Sequence, residues 1–320
     1  MGSDESYGNN RLIHALSEHE IMSEWVGDTH SPIVSICCST FNHASWITEA
    51  LTSFLSQRTS FPFEIVVRDD ASSDGTSEVV HRFATNYPNI IKHVRESQNQ
   101  FSKGVRSIHM WPELAVGKYI ALCEGDDFWL TEDKLQKQVD LLEANDGAVM
   151  SVALTRFCRQ TSSKLVEEKV TLCPNDDLLD VEKLQGYYFH TSTYVIRSSI
   201  FFSVVEDYFK GHSLYGDTAL RAILISKGDF VVLPEIVSVY RITDNGIWTS
   251  LDENKRLDWE LRAAQRLSED LSGIHARLQK RKIYNIRKRL LKRALKSFNV
   301  FEILRASIYL GSAVFRYKFS

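Results

Sequence analysis

KYIALCEGDDFWL, residues 118–130, carries an apolar strand straight into a knot of acid. Tyr119 to Cys123 make a short, bounded apolar run, the pattern of a strand covered on both faces in a parallel sheet. Glu124, Gly125, Asp126 and Asp127 follow, with Phe128 and Trp129 directly behind. Three carboxylates this close repel and raise one another's pKa. A hard divalent cation relieves that repulsion, because it takes oxygen ligands and neutralises the cluster. A solvated acidic turn capping a helix near Thr131 is the plainer reading. These residues by themselves leave both open.

The segments upstream repeat the pattern. Residues 32–42, PIVSICCSTFN, read as a strand ending in Ser39, Thr40, Phe41 and Asn42. Asn42 or His43 is expected to cap a helix from Ala44 to Leu55. Residues 63–68, FEIVVR, are a second strand. It exits into Asp69, Asp70 and a serine-rich turn that opens a helix reaching about Asn86. Asp74 in that turn is a turn or N-cap residue. Asp69 and Asp70 stand at the strand's exit, where their carboxylates could accept hydrogen bonds from a nucleobase or ribose. A third strand, Ile90 to Val94, leads through the loop holding Asn99 and past Gly104 into a helix ending near Ala115. The helix Glu132 to Ala144 closes the set. Four β-α steps predict a doubly wound, mostly parallel α/β sheet flanked by helices. The polar exits are then Asn42, Asp69 with Asp70, Asn99, and Glu124 to Asp127. They converge on the carboxyl edge, where open α/β sheets bind ligands.

The second half is less regular. Strands are expected at Ala148 to Cys158 and Tyr194 to Arg197, with an irregular polar tract from Gln160 to Asp180 between them. Asp217 precedes a helix, Thr218 to Lys227, and first-turn charge complementing the helix dipole explains it without any chemistry. Two strands, Phe230 to Leu233 and Ile236 to Arg241, are separated by Pro234, and a loop with Gly246 runs from Ile242 to Trp248. Tyr187, Tyr188, His190 and Tyr194 either line an acceptor site or form an aromatic core. The expected boundaries are a leader at 1–31 with a helix around Leu12 to Trp25, a body at 32–250 divided near 145, and a helical tail at 251–320.

Of the 320 residues, 43% are hydrophobic and 25% charged, a globular composition. Five cysteines, an odd count without CxxC spacing, suit buried thiols in a reducing compartment better than disulfides or zinc. The first 31 residues are polar and carry several acids, unlike a secretory signal, so a cytoplasmic setting is expected. From Leu271 to Ser320 there are 13 Lys and Arg against one acid, Glu302, while the rest carries 25 against 40. Ile283, Ile286, Leu290, Ala294, Phe298 and Phe301 share one face of this basic tail, with Arg289, Lys292, Arg293 and Lys296 mostly opposite. A basic amphipathic helix predicts peripheral docking on an anionic membrane surface; packing on the body is the alternative. Nucleic acid is not an expected partner, since the body is acidic and no base-reading motif is present. Oligomeric state is left open.

These motifs, taken together, resemble the family 2 glycosyltransferases of the GT-A fold, in particular bacterial enzymes of surface-polysaccharide synthesis. The resemblance rests on PIVSICCSTFNH, EIVVRDDASSDGT, and GKYIALCEGDDFW followed by KLQKQVDLLE. YGDTAL and VYRITDNGIW are similar to the acceptor-side motifs, and the whole likeness runs from about Pro32 to Thr249. It implies an inverting transfer from a nucleoside diphosphate sugar, a UDP-sugar foremost, to a glycan acceptor, lipid-linked as in capsule or O-antigen synthesis. Thr40, Phe41, Asn42, Asp69 and Asn99 would border the nucleotide. Glu124 would lie near the ribose, and Asp126 with Asp127 would hold Mg²⁺ or Mn²⁺. Arg241 would help with the diphosphate, and Asp217 would be the catalytic base. The chain departs from the pattern at three places: Glu124 replaces the first Asp of the DXD motif, Gly216 replaces an acid beside Asp217, and no histidine follows Tyr240-Arg241. A non-catalytic nucleotide-sugar binder and a sugar nucleotidylyltransferase are the rival readings. The latter lacks a Gly-rich, Arg-containing phosphate loop near the first strand.

Overall fold

A computed structural model describes residues 15–162, 164–209, 216–243 and 251–296. The chain forms two compact units, Met1–Ser213 with Lys227–Thr243, and Leu214–Ser226 with Asp244–Ser320. The first unit contains α1 (Glu18–Ser23), β1 (Val34–Thr40), α2 (Ile47–Leu55), β2 (Phe63–Asp69), α3 (Thr76–Asn86) and β3 (Ile91–Arg95). It continues with α4 (Trp111–Leu114), β4 (Tyr119–Leu122), β5 (Phe128–Trp129), α5 (Lys134–Glu143), β6 (Ala148–Gln160) and β7 (Leu165–Val170). β8 (Leu178–Leu179), β9 (Val195–Arg197), α6 (Ser198–Val204) and β10 (Asp229–Ile242) complete it, and α7 (Asp217–Leu224) belongs to the second unit.

One sheet organises the first unit, in the order β3-β2-β1-β4-β9-β6-β10-β5, with β7 beside β6 and β8 beside β10. β3, β2, β1 and β4 are parallel, and so are β6 and β10. β9 runs antiparallel to both its neighbours and joins the two parallel sets. Val34, Ile36 and Cys38 of β1 and Phe63, Ile65 and Val67 of β2 share a core with Ala50, Leu51, Phe54 and Val80 of α2 and α3. Each large apolar side chain fully buried there contributes roughly 1.5–3 kcal/mol. This two-sided burial explains why β1 and β2 read as nearly continuous apolar runs. The register pairs Thr40 with Asp69 and Cys37 with Leu122, so the exits of β2, β1 and β4 lie level at one edge.

Several local expectations shift. α2 starts at Ile47, and neither Asn42 nor His43 caps it; Asn42 takes a left-handed backbone at φ 55 and its side chain binds the neighbouring loop instead. Gly104, at φ 85, ends a 3₁₀ turn over Phe101–Lys103, and the helix expected after it reduces to a second 3₁₀ turn, Ser107–His109, and the single turn α4. The tract after Gln160 is irregular only in part: β7 folds back on β6 as a charged edge strand, while residues 171–177 take no regular structure. The two strands expected around Pro234 are one strand, β10, whose register shifts between Leu233 and Ile236, and again before Ser238. A bulge accommodates a proline that has no N–H for the ladder. α7 begins at Asp217 itself and ends at Leu224. The leader's helix is α1; its expected start at Leu12 lies outside the described residues, as does the loop from 244 to 250.

In the second unit α8 (Glu253–Asp270) and α9 (Gly273–Lys296) form an antiparallel hairpin. Arg293 of α9 pairs with Glu253, and Lys282 stands 3.7 Å from Glu260. Ile283 of the tail's apolar face packs with Ala264 and Leu261, and Ile286 and Ala294 are buried as well. That face is therefore turned to protein as far as Ala294. Phe298 and Phe301 lie outside the described residues. Among the described residues no helix is long and apolar enough to cross a membrane.

Candidate active site

The exits of β1 and β2 are stitched to each other. The Asn42 N–H donates to Ser72 Oγ at 2.9 Å, and Asn42 Oδ1 accepts from the Ser73 N–H at 2.9 Å. The His43 N–H donates to Thr76 Oγ1 at 2.8 Å, and Asp74 accepts from the Ala44 N–H at 3.0 Å. Asp74 also accepts from Thr76, so its role is that of a turn residue holding two loops. Asp70 is spent on structure: its carboxylate accepts from Arg68 at 3.2 Å and from the Gln100 and Phe101 N–H groups at 2.8 and 3.0 Å. Asn99 Oδ1 accepts from the Ser102 N–H at 2.7 Å and shapes the same loop.

Asp69 and Thr40 differ from these. Asp69 is fully buried; its Oδ1 accepts from the Ser72 N–H at 2.9 Å, while Oδ2 has no hydrogen-bond partner. Thr40 Oγ1 is buried without a partner too. Buried polar atoms are nearly always satisfied, so orphans at the exits of adjacent strands mark a place shaped for a polar ligand. Phe41 stands exposed beside them.

The acidic turn joins this edge through Gly125, whose N–H donates to the Ser39 carbonyl at 2.9 Å. A Cβ at Gly125 would lie 2.8 Å from Thr40 Oγ1 and 2.9 Å from Ile47 Cδ1, so only glycine lets the turn lie this close. The three acids then face different surroundings. Glu124 is exposed and Asp126 half-buried, with its Oδ2 3.8 Å from His43 Nε2. Asp127 is buried; Oδ1 accepts from the Arg241 N–H at 2.9 Å, and Oδ2, without a hydrogen-bond partner, stands 3.6 Å from His190 Nδ1. Burial, with Asp126 and Glu124 adding like charge, pushes the Asp127 carboxyl well above the usual carboxylate range. Burial also pushes the His190 imidazole down to about 3, so that ring is neutral. Ligand atoms of Glu124, Asp127 and His190 lie within 4.8 Å of one another. An orphaned carboxylate oxygen, a second carboxylate and a neutral imidazole are a donor set that fits a divalent cation.

Arg241 is buried, and its guanidinium serves the protein. Nε donates to the Asp126 carbonyl at 2.9 Å, and the terminal nitrogens bond Gln160 and Glu49. It braces the acidic turn from beneath. Asp217 is the first residue of α7, in the second unit. The edge thus gathers Thr40, Phe41, Asn42, Asp69, Glu124, Asp126 and Asp127. His43 and His190 join the carboxylates although no sequence spacing marks either as a partner of the acidic turn; β9, antiparallel between β4 and β6, carries the segment before it to this place.

An open sheet with an acidic turn and orphaned acceptors at its carboxyl edge defines a GT-A type α/β protein. The S. aureus TarS structure in complex with UDP-GlcNAc superimposes with a TM-score of 0.59 at 15% identity, over 88% of this chain and 79% of that one. The model of glycosyl transferase family 2 matches residues 35–203, and the chain belongs to that family. An uncharacterized protein of Mycobacterium tuberculosis (strain ATCC 25618 / H37Rv) is 30% identical over 233 residues, which span 72% of this chain and 64% of the relative. The Escherichia coli UDP-Glc:alpha-D-GlcNAc-diphosphoundecaprenol beta-1,3-glucosyltransferase WfaP is 30% identical over 112 residues, 35% of this chain and 41% of that protein.

Proposed function

We propose that the protein is an inverting, cation-dependent glycosyltransferase. It moves a sugar from a nucleoside diphosphate sugar, a UDP-sugar foremost, to a hydroxyl of a lipid-linked glycan during surface-polysaccharide synthesis. The observation that carries the reading is the acidic turn held by Gly125 against Thr40, beside the orphaned oxygen of Asp69. The UDP complexes of TarS and the donor and acceptor in the name of WfaP support the choice of donor and acceptor class.

In this reading Asp69 and Thr40 receive the nucleoside, with Phe41 and Asn42 at its border. Asp126 and Asp127, with Glu124 and His190 in reach, hold Mg²⁺ or Mn²⁺, which when bound neutralises charge on the diphosphate leaving group. Arg241 keeps the turn in position, so the carboxylates need not reorganise as that charge grows. Asp217 takes the proton of the attacking hydroxyl. Attack opposite the leaving group inverts the anomeric carbon. Working contact with an anionic membrane surface would use the exposed Lys288, Lys292 and Lys296 of α9 and the residues beyond, since the apolar face is already packed. Flotation with anionic liposomes that is unchanged by truncation at Leu271 would reject it.

The test is a donor screen. UDP-, GDP- and dTDP-sugars are incubated with the full chain, Mn²⁺ or Mg²⁺ and a polyprenyl-diphosphate-linked sugar, and nucleoside diphosphate release is followed. Cation-dependent release from one donor class, rising with acceptor, is expected. Binding without release in every case would reduce the protein to a nucleotide-sugar binder.

A further inference from the structure

An aromatic group stands next to the carboxylates. The Tyr240 ring lies 4.3 Å from His190, tilted by 36°, and meets Phe157 edge-on at 5.2 Å. Tyr188 packs on Phe157 at 6.2 Å. Phe157 and His190 are buried, Tyr240 is half-buried, and Tyr188 is 47% exposed. Hydroxyls fix the base of this group: His190 Nδ1 is 2.9 Å from Ser192 Oγ, which is 3.0 Å from Ser238 Oγ, itself 3.1 Å from Thr155 Oγ1. The rings are continuous with the acidic turn. His190 faces Asp127, and the residue after Tyr240 is Arg241, which donates its N–H to the same carboxylate.

We propose that Tyr188 and Tyr240, backed by Phe157 and His190, are a stacking platform for a pyranose ring of the acceptor glycan. The inference rests on the glycosyl-transfer reading for the word acceptor, and on the ring geometry for the rest. The C–H bonds on one face of a pyranose carry partial positive charge and meet the negative face of an aromatic ring. Tyr188, 47% exposed, offers surface that a ligand can cover, and rings on fixed backing are ordered before the ligand arrives, which lowers the entropic cost of binding. The occupant is a sugar because His190, 4.3 Å from the Tyr240 ring, stands 3.6 Å from the Asp127 carboxylate, beside which the reacting sugar must lie. A lipid chain there would bring apolar tail, not a hydroxyl, to the reacting centre.

The experiment uses the full chain and octyl glycosides of glucose, galactose, mannose and N-acetylglucosamine as probes, read by saturation-transfer NMR. UDP binding with Mn²⁺ is measured separately by calorimetry. Saturation of the ring C–H protons of at least one probe is expected. Affinity should fall about fivefold in Tyr188→Ala and return in Tyr188→Trp, with UDP affinity unchanged. Saturation confined to octyl protons, no saturation from any probe, or equal binding by Tyr188→Ala overturns the platform. Failure to bind UDP overturns the donor-site reading, whether or not sugars stack.

Discussion

Lys134 is the first residue of α5, fully buried, and its amine has no hydrogen-bond partner. Burial lowers its pKa from 10.5 to about 7, against a small upward pull from Cys123. That fall corresponds to about 5 kcal/mol against the charged form. The Trp129 ring lies 4.2 Å from Nζ and offers the charged form only its π face. A cation at a helix N-terminus gains nothing from the dipole. Lys134→Met, similar in length and apolar, should therefore be more stable than the parent by about 4 kcal/mol at pH 7, where the folded amine is about half protonated. The sign follows from proton counts: between pH 7 and 10.5 the unfolded chain holds the proton and the folded chain releases it, so the parent gains stability as pH rises. The advantage of Lys134→Met should shrink by about 1.4 kcal/mol per pH unit within that window and be gone above 10.5. Urea unfolding followed by tryptophan fluorescence at pH 7, 8, 9 and 10 measures it. A difference independent of pH, or a variant weaker than the parent at pH 7, would refute the assignment of an unpaired buried amine.

Gly125→Ala places a Cβ 2.8 Å from Thr40 Oγ1, so the acidic turn must move; donor affinity by calorimetry should fall at least about tenfold, and an unchanged value would detach the turn from the donor. Asp126→Ala should remove the Mn²⁺ dependence of UDP binding, and a variant that still responds to Mn²⁺ would take Asp126 out of the cation site. Asp217→Asn should lower turnover by about two orders of magnitude or more while donor binding survives; near-normal turnover would exclude Asp217 as base. Arg241→Lys keeps the charge but loses the planar fork that reaches Asp126, Gln160 and Glu49, and should cost about 2 kcal/mol in thermal or urea stability. A neutral outcome there would mean the turn holds itself.

The parallel half of the sheet was legible because burial on both faces forces β1, β2 and β4 to be apolar and brief, and polar residues can resume only at their exits. The run from Tyr119 into Glu124–Asp127 and the exits at Thr40 and Asp69 are local facts of that kind, and they located the carboxyl edge. Sequence could not distinguish Asp69 from Asp70, or Asp127 from Asp126. Neighbours in the chain point to opposite faces, and only packing shows that Asp70 is consumed by Arg68 and the Gln100 loop while Asp69 keeps an unused oxygen. His190 and Arg241 reach the acidic turn from segments far along the chain, through a strand order in which β9 and β10 are interleaved with β6, and no local periodicity encodes such pairings. The tail's amphipathic pattern is likewise a property of the helix alone. Whether lipid or protein covers the apolar face depends on what packs there, and as far as Ala294 that is protein, with α8 against Ile283.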